Sequence, residues 1–292
     1  MTDHYAVIGN PISQSKSPLI HTIFAQNTNQ DLDYVAIEGR LDSNNPKAFT
    51  EQVLGLFRSG KLLGLNVTTP FKLDALALAN VASDRAKIAG ASNALKWING
   101  QIVADNFDGI GLLKDIEINL AMPLKGKRIL VLGAGGAARG ILAPFLEANP
   151  YEIVIANRTL SKAQTLAKEN TVFGNIVASQ YSDLTNERFD MVINTTSSGL
   201  AGELPPIPAQ VFKNATLAYE LSYGKGKTEF LKLAEANGNA LLKDGVGMLV
   251  EQAAEAFAWW RGVRPATKAI IEQITIPLAP QPPNGEFKIC FL

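Results

Sequence analysis

Apolar positions along the chain fall into two alternating patterns. Short runs such as Tyr5-Ala-Val-Ile-Gly9, Leu63-Gly-Leu-Asn-Val67, Arg128-Ile-Leu-Val-Leu132 and Glu152-Ile-Val-Ile-Ala156 are too brief for helices and rich in branched residues, which predicts strands. Between them, apolar residues recurring every three or four positions predict helices at about Ser17 to Asn27, Pro46 to Arg58, Pro70 to Asn80, Gly109 to Leu120, Ala137 to Ala148, Leu160 to Glu169 and Thr228 to Asn237. Further strands or apolar runs are expected at Tyr34 to Ile37, Ala94 to Trp97, Gln101 to Ala104, near Ile176, and at Asp190 to Asn194, Thr216 to Leu221 and Ala240 to Lys243. A strongly amphipathic helix from Gly245 to Trp260 and another from Pro265 to about Ile274 follow. The alternation predicts an α/β fold, and in the second half it is regular enough to predict a doubly wound parallel sheet.

These patterns divide the chain. A break near Asp108 separates a first α/β domain, 1–108, from a second, 109–244, and the helices of 245–275 are expected to pack back on the first. The segment 276–292 holds four prolines and no clear period, which predicts a loosely ordered tail. The length of 292 residues agrees with two cores, since single cores stop growing near roughly 250–300 residues.

Composition narrows the chemistry. Apolar residues make up 47% and charged ones 18%, which excludes a disordered chain. Lys plus Arg and Asp plus Glu balance at 27 each, so no general field attracts nucleic acid or an anionic membrane, and a small-molecule partner is expected. One cysteine, Cys290, permits no intramolecular disulfide and no cysteine-based metal site, which suits a reducing cytoplasm. Neither a signal-peptide pattern nor a run of about 18 apolar residues occurs, so no membrane span is expected. With only His4 and His21, a zinc hydrolase or a histidine-dependent dehydrogenase has little material.

Gly133-Ala134-Gly135-Gly136-Ala137-Ala138 follows an expected strand and opens an expected helix, the context in which G-x-G-x-x-[GA] reads as a dinucleotide-binding loop. Glycine lets the backbone approach a pyrophosphate, whose charge meets free N–H groups at the helix start. The next strand ends in Asn157-Arg158-Thr159 instead of an acidic residue. Arg158 can fork onto a 2′-phosphate and Thr159 can donate to it, so the loop favours NADP over NAD. In the first domain, Ser13, Ser15 and Ser17 precede a helix and either cap it or bind a polyol or carboxylate. Lys72 falls in the first turn of a helix, where the dipole disfavours a cation. Asp108 before Gly109-Ile-Gly111 reads equally well as a helix N-cap.

Taken together, Gly9-Asn-Pro-Ile12, Ser15-Lys-Ser-Pro18, Asn66-Val-Thr68, Pro70-Phe-Lys72, Gly90-Ala-Ser-Asn93, Asp105-Asn106 and Asp108-Gly109 resemble the shikimate dehydrogenase family. The resemblance continues through Gly133 to Ala137, Asn157-Arg-Thr159, Asn194, Thr196-Ser-Ser-Gly199, Tyr223, Lys225-Gly-Lys-Thr228 and Asp244-Gly-Val-Gly-Met-Leu249, and spans Tyr5 to about Ile274. It implies a substrate domain, completed by C-terminal helices, facing a Rossmann-like NADP domain across a cleft. It also implies reduction of 3-dehydroshikimate to shikimate in aromatic amino acid and chorismate biosynthesis, with no metal. On matching positions it assigns Lys72 as general acid/base and Asp108 as its partner. Ser15, Ser17, Thr68, Asn93, Asp108, Tyr223 and Gln252 would hold the substrate. Asp84, Gly133, Ala134, Gly135, Gly136, Ala137, Asn157, Arg158, Thr159, Leu221 and Gly245 would meet the cofactor. A lysine suits the chemistry, since a ketone accepting a hydride needs a proton or a cation at its oxygen.

The chain departs from the family at Phe107 and Ala94, where Thr is usual, and at Glu220 and Leu221, where Asp and Met are usual. Phe107 either changes contacts to a substrate hydroxyl or fills space beneath the loop. Two other readings compete: a quinate/shikimate dehydrogenase with relaxed substrate or NAD use, and a non-catalytic NADP-binding sensor on the same fold. Arg158 argues against NAD, and the presence of both Lys72 and Asp108 argues against the sensor. Monomer and homodimer both remain open.

Overall fold

The computed structural model describes residues 2–196, 198, 203–224 and 226–275. The expectations placed on Ser197, Gly199, Lys225, Cys290 and the 276–292 tail lie outside the described residues.

The first sheet collects β1 (Asp3–Gly9), β2 (Leu32–Glu38), β3 (Gly64–Val67), β4 (Val81–Ala82), β5 (Ala94–Ile98) and β6 (Gln101–Asp105) in the order β2-β1-β3-β5-β6-β4. β2, β1 and β3 run parallel, with helices α1 (Ser17–Asn27) and α2 (Ala48–Arg58) in their connections. β5 runs antiparallel to both β3 and β6, so this sheet is mixed. The reversal lies at Asn99-Gly100, both with positive φ (50° and 78°), an Asn-Gly pair suited to a tight hairpin. The helix expected over Pro70 to Asn80 is confined to α3 (Lys72–Ala77). A helix not foreseen, α4 (Asp84–Ala89), starts where Ser83 Oγ accepts the Ala86 N–H at 3.1 Å and stops at Gly90, whose φ of 62° is left-handed.

The second sheet is all parallel, with β7 (Arg128–Leu132), β8 (Glu152–Ala156), β9 (Ile176–Ser179), β10 (Met191–Asn194), β11 (Leu217–Glu220) and β12 (Leu241–Lys243) ordered β12-β11-β10-β7-β8-β9. Counted within this half, the order is the 3-2-1-4-5-6 of a Rossmann fold, whose direction reverses between β7 and β10. Both faces are covered. Ile129, Val131 and Ile155 face one core with Phe145 of α6 (Gly136–Glu147), while Leu130, Leu132 and Val154 face another with Phe230 of α8 (Glu229–Asn237). Two buried faces explain why these strands read as continuous apolar runs. α7 (Leu160–Asn170) connects β8 to β9.

Between the sheets lies α5 (Asp108–Lys114), which continues as a π-helical turn, Asp115–Asn119, instead of as one α-helix to Leu120. The helix expected at Gly245 to Trp260 is α9 (Val246–Arg261), followed by α10 (Lys268–Ile274). Two glycines set the position of α5. A Cβ on Gly109 would overlap the Gly140 carbonyl of α6, and one on Gly111 would come within 2.7 Å of the Gln252 N of α9. α9 returns to the first sheet, where Trp260 Nε1 donates to the Leu95 carbonyl at 3.1 Å and Lys96 Nζ donates to the Trp259 carbonyl at 3.0 Å. Among the described residues no helix is long and apolar enough to cross a membrane.

His21 on α1 is 1% exposed and stacks on Tyr34 at 4.0 Å, with Phe24, Phe257 and Trp260 around it. Neither ring nitrogen has a hydrogen-bond partner among the described residues. Asn66, its polar neighbour, is committed to Tyr34 Oη and the Asn93 carbonyl. Burial lowers the imidazole from 6.5 to about 3. Below pH 6.5 the unfolded chain therefore takes up a proton that the folded chain refuses, and stability falls with pH until about 3. His21→Phe is expected to flatten this slope by up to about 1 kcal/mol per pH unit, as read from urea unfolding midpoints between neutral and moderately acid pH. A slope identical to wild type would contradict it.

Candidate active site

The ends of β3 and β6 and the start of α5 converge on one cluster. Lys72 opens α3, and its Nζ donates to Asp108 Oδ2 at 2.7 Å. The other Asp108 oxygen accepts Asn93 Nδ2 at 2.8 Å, and the same amide donates to Gln252 Oε1 of α9 at 3.1 Å. Asn93 is 3% exposed and held from behind, since its Oδ1 accepts the Phe107 N–H at 2.9 Å. Asp108 is thus not an N-cap: Phe107 occupies that position, and the carboxylate faces the lysine and the amide. The side chains of Lys72 and Asp108 retain 33% and 15% exposure, so the pair is sheltered yet reachable from solvent.

Thr68 follows β3, and Gly9 at the end of β1 leaves it room, because a Cβ on Gly9 would overlap Thr68 Cγ2. Ser15 Oγ accepts the Ser17 N–H at 3.3 Å and so meets one free donor at the start of α1, whose N-cap residue Lys16 makes no side-chain cap. Tyr223 packs on the cluster formed by α1 and α9, and burial pushes its phenol up.

In the second sheet, Gly133 leaves β7 with φ 103°, where a Cβ would come within 2.8 Å of Thr195 Oγ1 at the end of β10. Gly135 and Gly136 face open space, and Ala134 and Ala137 complete the turn into the twelve-residue helix α6. The loop therefore opens at the reversal point of the sheet with its backbone free, which fits a pyrophosphate. Asn157 braces the next turn by donating to the Thr159 carbonyl at 2.9 Å, and Arg158 and Thr159 are exposed beside it. Lys162, in the first turn of α7, adds a second cation that motif reading passed over. Leu221 directly follows β11 and lies against Gly245, where any Cβ would overlap the Leu221 carbonyl. Asp84 stands apart: it is paired with Lys87 at 3.3 Å and lines a groove with Arg139 and Glu147 of α6, not with Gly133 to Ala137.

Phe107 turns into the structure. It is 3% exposed, meets Trp259 edge-on at 5.7 Å and lies under the Arg85 guanidinium at 5.2 Å. Ala94, the other position where the family usually has Thr, lies in the same apolar cluster, so a large ring accompanies a small residue. Phe107 thus acts beneath the loop and offers almost no surface to solvent. Phe107→Thr is expected to cost about 2–4 kcal/mol in urea unfolding while the substrate KM moves less than about threefold. A large KM change without loss of stability would reverse this assignment. Glu220, fully buried, accepts Asn194 Nδ2 at 2.8 Å and the Ser222 N–H at 3.2 Å, joining the ends of β10 and β11.

Three family models match the chain: "Shikimate dehydrogenase substrate binding domain" over residues 7–95, "Shikimate / quinate 5-dehydrogenase" over 116–201, and "Shikimate 5'-dehydrogenase C-terminal domain" over 245–275. A curated relative, "Shikimate dehydrogenase (NADP(+))" of Nitrosospira multiformis, is 50% identical over 93% of this chain and 96% of its own. Its namesake in Chromobacterium violaceum is 46% identical over 96% and 100%. Among solved structures, an Ael1 enzyme from Pseudomonas putida superposes with a TM-score of 0.91 at 58% identity, covering 95% of this chain and 100% of its own. The shikimate 5-dehydrogenase of Thermus thermophilus, solved with NADP(H) and shikimate, gives 0.81 at 30% identity over 93% and 98%.

Proposed function

The chain belongs to the shikimate dehydrogenase family, and on that premise we propose that it reversibly reduces 3-dehydroshikimate to shikimate with NADPH, in the cytoplasm, as a monomer or homodimer. The observation that carries the reading is the Lys72–Asp108 pair at 2.7 Å in a chain whose second sheet opens a dinucleotide loop. Residues 1–108 and 245–275 form the substrate domain and 109–244 the NADP domain.

When bound, NADP supplies the nicotinamide carbon that exchanges a hydride with the substrate. The protein's part is to manage the proton and the geometry. Lys72 Nζ delivers a proton to the carbonyl oxygen in reduction and recovers it in oxidation, and as a cation it also stabilises negative charge growing there. Asp108 holds the ammonium in place, and Asn93 holds Asp108. Ser15, Ser17, Thr68, Asn93, Asp108, Tyr223 and Gln252 bind the carboxylate and hydroxyls of the ring. The backbone of Gly133 to Ala137 receives the pyrophosphate, Asn157, Arg158, Thr159 and Lys162 read the 2′-phosphate, and Leu221 and Gly245 flank the nicotinamide. Asp84 remains assigned to the cofactor through the resemblance alone.

The test is the initial rate of nicotinamide reduction with shikimate or quinate, each paired with NADP+ or NAD+. A dominant rate with shikimate and NADP+ is expected. Turnover confined to quinate or to NAD+ would move the assignment to the broader enzyme, and NADPH binding without turnover in any pairing would leave a non-catalytic binder.

A further inference from the structure

At the junction of the two sheets a buried carboxylate ties three elements together. Asp115 opens the π-helical turn after α5 and is 3% exposed. Its Oδ2 accepts the Tyr219 hydroxyl at 2.8 Å, and its Oδ1 accepts Asn119 Nδ2 at 3.0 Å. Tyr219, on β11 and fully buried, uses the same oxygen to accept the Met248 N–H at 3.1 Å in the first turn of α9. Gly247 leaves no space between them, because a Cβ there would overlap the Asp115 carboxylate. Burial raises the Asp115 carboxyl, and the hydrogen bonds from Asn119 and Tyr219 oppose that rise. A π-turn re-aims the side chains it carries, which is one reason such turns gather at functional sites.

Each tied element carries part of the proposed reaction centre. α5 begins with Asp108, β11 runs into Leu221 beside Gly245, and α9 carries Gln252, which shares the Asn93 amide with Asp108. Neither Asp115 nor Tyr219 is hydrogen-bonded to any of these side chains. We infer that the Tyr219–Asp115 hydrogen bond is a positioning pair that sets the separation between the nicotinamide end of β11 and α9 and the Lys72–Asp108 pair. The inference rests on the shikimate-oxidising reading above. Transfer geometry is steep, since a misplacement of about 1 Å can cost on the order of 10²-fold in rate. A purely structural bond would affect melting alone, whereas a positioning bond also alters the hydride step in the folded enzyme.

The full chain is assayed first as wild type with shikimate and NADP+; absence of turnover there sinks the functional reading and is separate from what the variants report. Tyr219→Phe removes one oxygen. Its kcat is expected to fall about tenfold or more with KM values within about threefold, and the primary deuterium isotope effect on kcat, with shikimate labelled at the oxidised carbon, is expected to grow. Asp115→Asn keeps an oxygen toward Tyr219 and should retain most of kcat, whereas Asp115→Ala should lose as much as Tyr219→Phe. The Tyr219→Phe/Asp115→Ala pair should be no worse than either alone, as for groups acting together. Wild-type kcat and isotope effect in Tyr219→Phe, or a loss confined to KM, overturns the proposal. Should that variant fail to melt cooperatively, Asp115→Ala decides in the same way.

Discussion

Lys72→Ala is expected to lower kcat by about 10²–10⁴-fold while leaving the affinity for NADPH within about threefold of wild type. The ammonium lies 2.7 Å from Asp108 and, among the described residues, makes no hydrogen bond with the glycine loop. In the proposed role its interaction with the ketone oxygen would strengthen only as charge develops, so its loss should appear in kcat more than in ground-state binding. Single-turnover reduction of 3-dehydroshikimate, run beside a fluorescence titration of NADPH, separates the two quantities. Wild-type turnover in Lys72→Ala would remove the lysine from the mechanism. A parallel loss of NADPH affinity would mean that the side chain organises the cofactor side as well.

Arg158→Ala should weaken NADP by about 10- to 100-fold and NAD by less than about twofold, as expected for losing charge-assisted hydrogen bonds to a group only NADP carries. Arg158 is exposed at the end of β8, in a turn braced by Asn157, with Tyr181 buried beside it. Lys162 on the next turn should retain part of the phosphate affinity, so Arg158→Ala/Lys162→Ala is expected to fall further than either single change. Kd values for both cofactors measured at one ionic strength provide the comparison, because screening would otherwise blur it. Equal weakening of NADP and NAD would show that this turn does not read the phosphate.

How much of this was legible in the sequence depended on how local each feature is. The parallel strands of the second sheet announced themselves because both faces are covered and their central positions are apolar. The hairpin of β5 and β6 was signalled by Asn99-Gly100 between two apolar runs, yet alternation of strands and helices alone suggested no reversal there. α4 is six residues long, too short to show a period, although Ser83 and Gly90 mark both its ends. The π-turn at Asp115 had no signal, because its apolar spacing continues that of α5. Asp108 read equally well as an N-cap until its partners were visible.

The sequence by itself determined the α/β class, the two-part division, and a glycine-rich strand-to-helix turn followed by a cationic one. Those features are written in the backbone requirements and charges of a few adjacent residues: a glycine at positive φ after a strand, and an arginine where an acidic residue would exclude phosphate. The resemblance paired Lys72 with Asp108, and the tertiary structure brings them together across 36 positions; it alone decided that Asn93 meets Gln252 across 159 and that the Phe107 ring is buried. Such distances are set by sheet register and by how closely helices pack. Here Gly109 and Gly111 let α5 lie between α6 and α9, and no spacing within a single segment encodes that contact.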